Sequence, residues 1–167
     1  MSGVTIASLQ RMSRDALAVI LLTPTKADKV AIIDVRDSGK SHSPDLLFAL
    51  HYPSAVIHVI MPFTDHVGGH IFSSTWHPSS TLNENMPDLI NTLRDKEKVV
   101  FHCALSQERG PSAALKYIRE REQVLGKEES AKQTVFVLDG GFVLWQEKYG
   151  EDQRLTQAYV KDIWEEY

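Results

Sequence analysis

Cys103 stands directly after His102 and six residues before Arg109 in the stretch VVFHCALSQERGPSAALKY, residues 99–117. The pattern H-C-x5-R-G-P sets a nucleophile and a permanent cation around one short loop. Gly110 and Pro111 suit the first turn of a helix, where proline loses no hydrogen bond. The apolar run before Cys103 suits a buried strand, so the chain between them must curl back from strand to helix. Such a curl aims backbone N–H groups inward as an anion nest. The helix N-terminus adds its partial positive charge. Nest, dipole and Arg109 together would favour the thiolate of Cys103. That thiolate can attack phosphorus or arsenic in line, with the planar fork of Arg109 holding two equatorial oxygens.

The neighbours suggest supporting roles. The Ser106 hydroxyl could hydrogen-bond the sulfur and help it leave in a second step. Glu108, beside Arg109, could protonate the leaving oxygen. His102 is expected to orient the loop through hydrogen bonds. The plain alternative is a buried strand-end cysteine with Arg109 in a surface ion pair, Glu108 solvated and Ser106 a capping hydroxyl.

The elements that must position these residues alternate between two periods. Leu9, Met12, Leu17, Ile20 and Leu21 follow helical spacing and predict an amphipathic helix over much of residues 8–22. The β-branched run KVAIIDVRD (29–37) predicts a buried strand. Met86, Leu89, Ile90 and Leu93 mark one face of a helix over 83–96. KVVFHC (98–103) is a second strand, followed after the tight loop by a helix running to about Tyr117–Gln123. QTVFVLDGG (133–141) is a third strand, FVLWQEKY a short helix, and TQAYVKDIWEEY another. Strands alternating with helices imply a parallel sheet covered on both faces. Ligands then bind at the carboxyl ends of the strands, where the Cys103 loop falls.

Composition narrows the function classes. A chain of 167 residues with 43% hydrophobic and 24% charged residues fits one globular domain. One cysteine excludes an intramolecular disulfide and a cysteine-based zinc site, and suits a reducing compartment, cytoplasmic or nuclear. The net charge of −4 argues against a nucleic-acid partner. ALAVILL (16–22) follows Arg11, Arg14 and Asp15 without a cleavage site, so it reads as a buried helix rather than a signal peptide. No segment reaches the ~18 apolar residues of a membrane span, so no membrane partner is expected.

FHCALSQERGPSAA resembles the active-site loop of the rhodanese-fold phosphatases, the family of the M-phase inducer (cell-division-cycle) dual-specificity phosphatases. It is most similar to their small single-domain relatives, some of which are arsenate reductases. IIDVRD (32–37), GGHI (68–71) and VLDGGFVLW (137–145) extend the resemblance from about Ile6 to Tyr149. It implies a three-layer rhodanese-like fold with a central, mostly parallel five-stranded sheet and helices on both faces. It implies Cys103 as nucleophile, and an oxyanion-binding loop of Ala104, Leu105, Ser106, Gln107, Glu108 and Arg109. Sulfurtransferases of this fold carry a loop one residue shorter; the longer loop suits tetrahedral phosphate or arsenate. Ala104 stands where the M-phase inducers place an acidic residue, which removes one proton donor. In the same frame Asp34 and Arg36 would hold the sheet edge and His70 would pack near the loop, all three as supporting residues. Gly140 and Gly141 read as a turn needing positive φ, with Trp145 in the core.

One stretch, residues 39–64, interrupts the resemblance between IIDVRDS and DHVGGHI. It has 26 residues, three prolines and three histidines, without clean periodicity. One reading is a long lid or docking loop in which His42, His51 and His58 are a weak metal-ligand set. The preferred reading is a translated intron within the single domain 1–167. Codons for Gly39-Lys40-Ser41 can contain a donor-like GTAAGT, and Thr64-Asp65 an acceptor-like CAG. Excision stays in frame and restores IIDVRDSDHVGGHI, which sequencing of cDNA across the junction would test.

The expected function is therefore a cysteine-dependent phosphatase, of tyrosine or dual-specificity type, acting through a phosphocysteine. Its substrate would be a phosphorylated protein or a small oxyanion, with no metal or organic cofactor required. The second expectation is arsenate reduction with glutathione and glutaredoxin as external reductants. The third is a non-catalytic rhodanese-like binding module. Oligomeric state is not readable from the sequence.

Overall fold

The computed structural model describes residues 3–37 and 67–165. The 39–64 stretch, with its histidines, lies outside these described residues. Five short strands form one parallel sheet: β1 (Gln10–Met12), β2 (Val30–Asp34), β4 (Thr75–Trp76), β5 (Lys98–His102) and β6 (Thr134–Leu138), in the order β1-β6-β5-β2-β4. β3 (His70–Ile71) pairs antiparallel with β7 (Thr156–Gln157) in a separate ribbon. The helices are α1 (Arg14–Leu21), α2 (Pro24–Ala27), α3 (Leu82–Thr92), α4 (Arg109–Leu125), α5 (Lys127–Ser130) and α6 (Gly141–Tyr149).

The three central strands are apolar at nearly every position because both faces of the sheet are covered. Ile33, Val99, Phe101, Val135 and Val137 face a core with Met86, Leu89 and Ile90 of α3 and Ala113, Ala114 and Tyr117 of α4. Val30, Ile32, Val100 and Leu138 face the opposite core with Leu17 of α1 and Phe142 and Trp145 of α6. This alternation carries Cys103 into the first core as the continuation of Val99 and Phe101. The β2–β5 register sets Asp34 opposite His102 at the carboxyl end of the sheet.

Two expected elements differ. The helix proposed over 8–22 is instead β1 followed by α1. Ser13 caps the helix by accepting a hydrogen bond from the Ala16 amide at 3.2 Å, so helical geometry starts only at Arg14. Residues 10–12 instead pair with the free side of β6. The C-terminal helix over TQAYVKDIWEEY is also absent among the described residues. Thr156–Gln157 is strand, Ala158 takes a positive φ of 51°, and only Lys161–Ile163 forms a 3-10 turn. A left-handed alanine stops a helix from propagating across it.

Candidate active site

β5 ends at His102, and α4 begins at Arg109, so residues 103–108 form the loop between them. Cys103 is 4% exposed, at the floor of this loop. The backbone amide of Ser106 donates to Cys103 Sγ at 3.2 Å. The expected contact from the Ser106 hydroxyl to sulfur is not what the structure presents. That hydroxyl oxygen accepts from the Cys103 amide at 3.4 Å, because Ser106 turns with φ of 53° and sends its N–H inward. The serine thus crosses the loop in both directions, amide to sulfur and hydroxyl to amide.

The loop's carbonyls are drawn away from the sulfur. Phe142 and Val143 amides, at the N-terminus of α6, donate to the Cys103 and Ala104 carbonyls at 3.0 Å each. Gly140 and Gly141 have φ of 71° and 58°, as their expected turn requires. A Cβ at Gly141 would stand 2.4 Å from the Ala104 carbonyl oxygen. Gly110 approaches from the other side, where a Cβ would lie 3.4 Å from the Cys103 amide nitrogen. The N-terminus of the 17-residue α4 therefore abuts Cys103 directly, with its dipole favouring an anion there.

His102 is wholly buried, and its Nδ1 lies 3.1 Å from the Cys103 carbonyl. A carbonyl only accepts, so Nδ1 carries the proton. Burial holds the His102 imidazole below the ordinary histidine range. Its Nε2 stands 3.9 Å from Asp34. Asp34 and Arg36 form a buried ion pair: Nε donates to Oδ1 and Oδ2 at 3.0 and 2.9 Å, and Nη2 to Oδ2 at 2.5 Å. Burial raises the Asp34 carboxyl, but His102 and the Arg36 hydrogen bonds outweigh it and lower it to about 2. Arg36 also donates to the carbonyls of Val67 and Gly69 at 3.3 and 2.8 Å, and stacks over the Phe142 ring at 4.4 Å. His70 lies on β3, with Nε2 3.2 Å from Gln157 Oε1. This contact crosses the ribbon to β7.

The outer loop faces solvent. Leu105 is 43% exposed, and Gln107, Glu108 and Arg109 are exposed, with Ala104 intermediate. The Glu108 backbone carbonyl accepts from the Ser112 amide at 2.9 Å, while its side chain reaches no hydrogen-bond partner among the described residues. Arg109 Nη1 donates to Asp37 Oδ2 at 3.2 Å. Arg11 Nη1 donates to the Ser106 carbonyl at 3.4 Å and to Asp139 at 3.3 Å.

Sequence reasoning missed Asp37, Arg11 and the α6 amides. Asp37 was visible only as the end of a strand, and Arg11 only as a charge before an apolar run. The Gly140–Gly141 pair was the one available signal for the α6 contact, and it was read only as a turn.

The loop thus sets one backbone amide on the Cys103 sulfur beside a helix N-terminus, an arrangement suited to an anion. Residues 18–148 match the model of the rhodanese-like domain. The chain is 37% identical over 112 residues to the CDC25-like phosphatase YCH1 of Saccharomyces cerevisiae, covering 60% of this chain and 72% of that protein. It is 33% identical over 164 residues to arsenate reductase 2.1 of Oryza sativa subsp. japonica, covering 95% and 85%. Its fold is similar to that of Ygr203w, described as a yeast protein tyrosine phosphatase of the rhodanese family. That match has a TM-score of 0.70 at 27% identity and covers 97% of this chain and 99% of the other.

Proposed function

The chain belongs to the rhodanese-like domain family, and from that membership we propose that it is a cysteine-dependent phosphatase with Cys103 as nucleophile. The observation that carries this reading is the Ser106 amide at 3.2 Å from Cys103 Sγ, inside a loop closed by the α4 N-terminus. The Cys103 sulfur attacks phosphorus, forming an S–P bond as the P–O bond to the leaving group breaks. Loop amides and the Arg109 guanidinium stabilise the charge growing on the equatorial oxygens. The leaving oxygen takes a proton, for which Glu108 is the nearest candidate in sequence. Water then attacks phosphorus, breaks the S–P bond and releases phosphate. Cys103→Ser is expected to abolish turnover of a small aryl phosphate; appreciable turnover by that variant refutes the nucleophile.

The likeness to the rice arsenate reductase, which spans 95% of the chain, supports a second reading in the same loop. Arsenate is close in shape and charge to phosphate, so the same donors accommodate it. Two electrons are needed to take arsenate to arsenite. The chain has one cysteine, so external thiols must supply them and leave as a disulfide. Glutathione with glutaredoxin is the proposed source. Parallel assays with aryl phosphate, and with arsenate plus glutathione and glutaredoxin, separate the two activities.

A further inference from the structure

The geometry points to Asp37 as a positioning residue that holds the Arg109 guanidinium over the Cys103 loop, an inference that rests on the phosphatase reading. Arg109 is the first residue of α4, its side chain is 43% exposed, and it pairs with Asp37. An exposed arginine has many rotamers, and a surface ion pair between two mobile side chains fixes neither. Asp37 has two further hydrogen bonds of its own. Its Oδ2 accepts from Ser79 Oγ at 2.6 Å and its Oδ1 from the Ser80 amide at 3.0 Å. Both anchors lie in the turn between β4 and α3, so the carboxylate is held by that turn independently of Arg109.

The pairing uses one edge of the guanidinium. Nη1 is committed to Asp37, which leaves Nε and Nη2 for a planar, two-oxygen grip on the transferring group. A guanidinium already in place stabilises charge that develops in the transition state without reorganising. The same carboxylate repels the bound anion, so its removal relieves ground-state repulsion while it frees the arginine. The two effects fall on different kinetic constants, which makes the assignment readable.

Asp37→Asn is expected to lower kcat for an aryl phosphate about tenfold and to change KM by less than about threefold. Ser79→Ala, which loosens the anchor, should shift kcat in the same direction by less. In an Arg109→Ala background, Asp37→Asn should add no more than about a twofold further loss. A full, additive loss there overturns the inference, because Asp37 would then act on the reaction by itself. Side-chain 15N relaxation of Arg109 Nε, assigned by its disappearance in Arg109→Lys, reads the positioning without turnover. Its order parameter should fall in Asp37→Asn; an unchanged value overturns the inference. If the wild type turns over neither phosphate esters nor arsenate, the phosphatase reading fails, and this relaxation measurement still decides the role of Asp37.

Discussion

Gly141 touches the Ala104 carbonyl so closely that a Cβ there would sit 2.4 Å from its oxygen, with the Cys103 carbonyl at 2.6 Å. Both neighbours are backbone, and Gly141 holds a φ of 58°. Gly141→Ala must therefore push α6 off the loop or distort the loop itself. The expected cost is about 3 kcal/mol of stability from strain and lost contacts. Aryl phosphate turnover should fall at least about a hundredfold, since small misplacements of reacting groups are costly. Denaturant unfolding and steady-state kinetics on one preparation check both numbers.

Ser106 separates two functions in one residue. Its amide meets the Cys103 sulfur, and its hydroxyl oxygen meets the Cys103 amide. Ser106→Ala and Ser106→Gly both delete the hydroxyl and keep the amide. Each should lower kcat by about tenfold, the loss of one modest hydrogen bond at the loop base. The glycine variant should be the more stable of the two, because the position needs a φ of 53°. Thermal unfolding of the pair tests that order.

Glu108 is proposed to donate the proton to the leaving oxygen, and its exposed side chain leaves it able to reach one. Glu108→Gln should reduce turnover of an alkyl phosphate about tenfold and of nitrophenyl phosphate less than about twofold, because only the poorer leaving group needs the proton. Equal losses on the two substrates would move the donor role to solvent or to another acid.

Acid sensitivity should arrive in two stages. Burial lowers His70, His77 and His102 below the ordinary value of 6.5. The unfolded chain then binds these protons more readily, so their stability contribution is complete above 6.5 and declines as pH falls below it. Asp34, lowered from 3.8 to about 2, contributes fully above 3.8 and loses that contribution as pH falls through about 2. The unfolding midpoint should thus begin to drop as pH falls below 6.5, before carboxylates titrate. In His102→Gln this first drop should shrink, and the second should persist in reduced form, carried by Arg36.

The sequence disclosed the β5–loop–α4 unit because each of its parts has a local signature. Val99–Phe101 is an apolar run, Gly110–Pro111 is a helix start, and the spacing from Cys103 to Arg109 is counted directly. A parallel sheet followed from the same alternation, while its five strands were implied by the family resemblance, and the family match agrees with both. β1 and β7 were not visible, because strands of three and two residues are defined by remote partners rather than by period. Leu9 and Met12 also fit helical spacing, which hid β1. Asp37 and Arg109 lie 72 positions apart, and no spacing rule joins them. The Ser106 residue was identified, but which of its two polar groups meets the sulfur depends on a backbone angle that residue type leaves open.

Arg36 reaches across a long gap in the chain, donating to the carbonyls of Val67 and Gly69, 31 and 33 positions away. A single guanidinium therefore bridges the two described stretches of chain, the one ending at Asp37 and the one starting at Val67. Where the two ends of a chain closure are already held together, the length of the closure adds only a slowly growing entropic cost. A chain lacking residues 39–64 should keep its unfolding midpoint, and a fluorescent reporter spliced there should leave it equally intact. One buried cation thus acts as a clasp between two stretches of chain that are far apart in sequence.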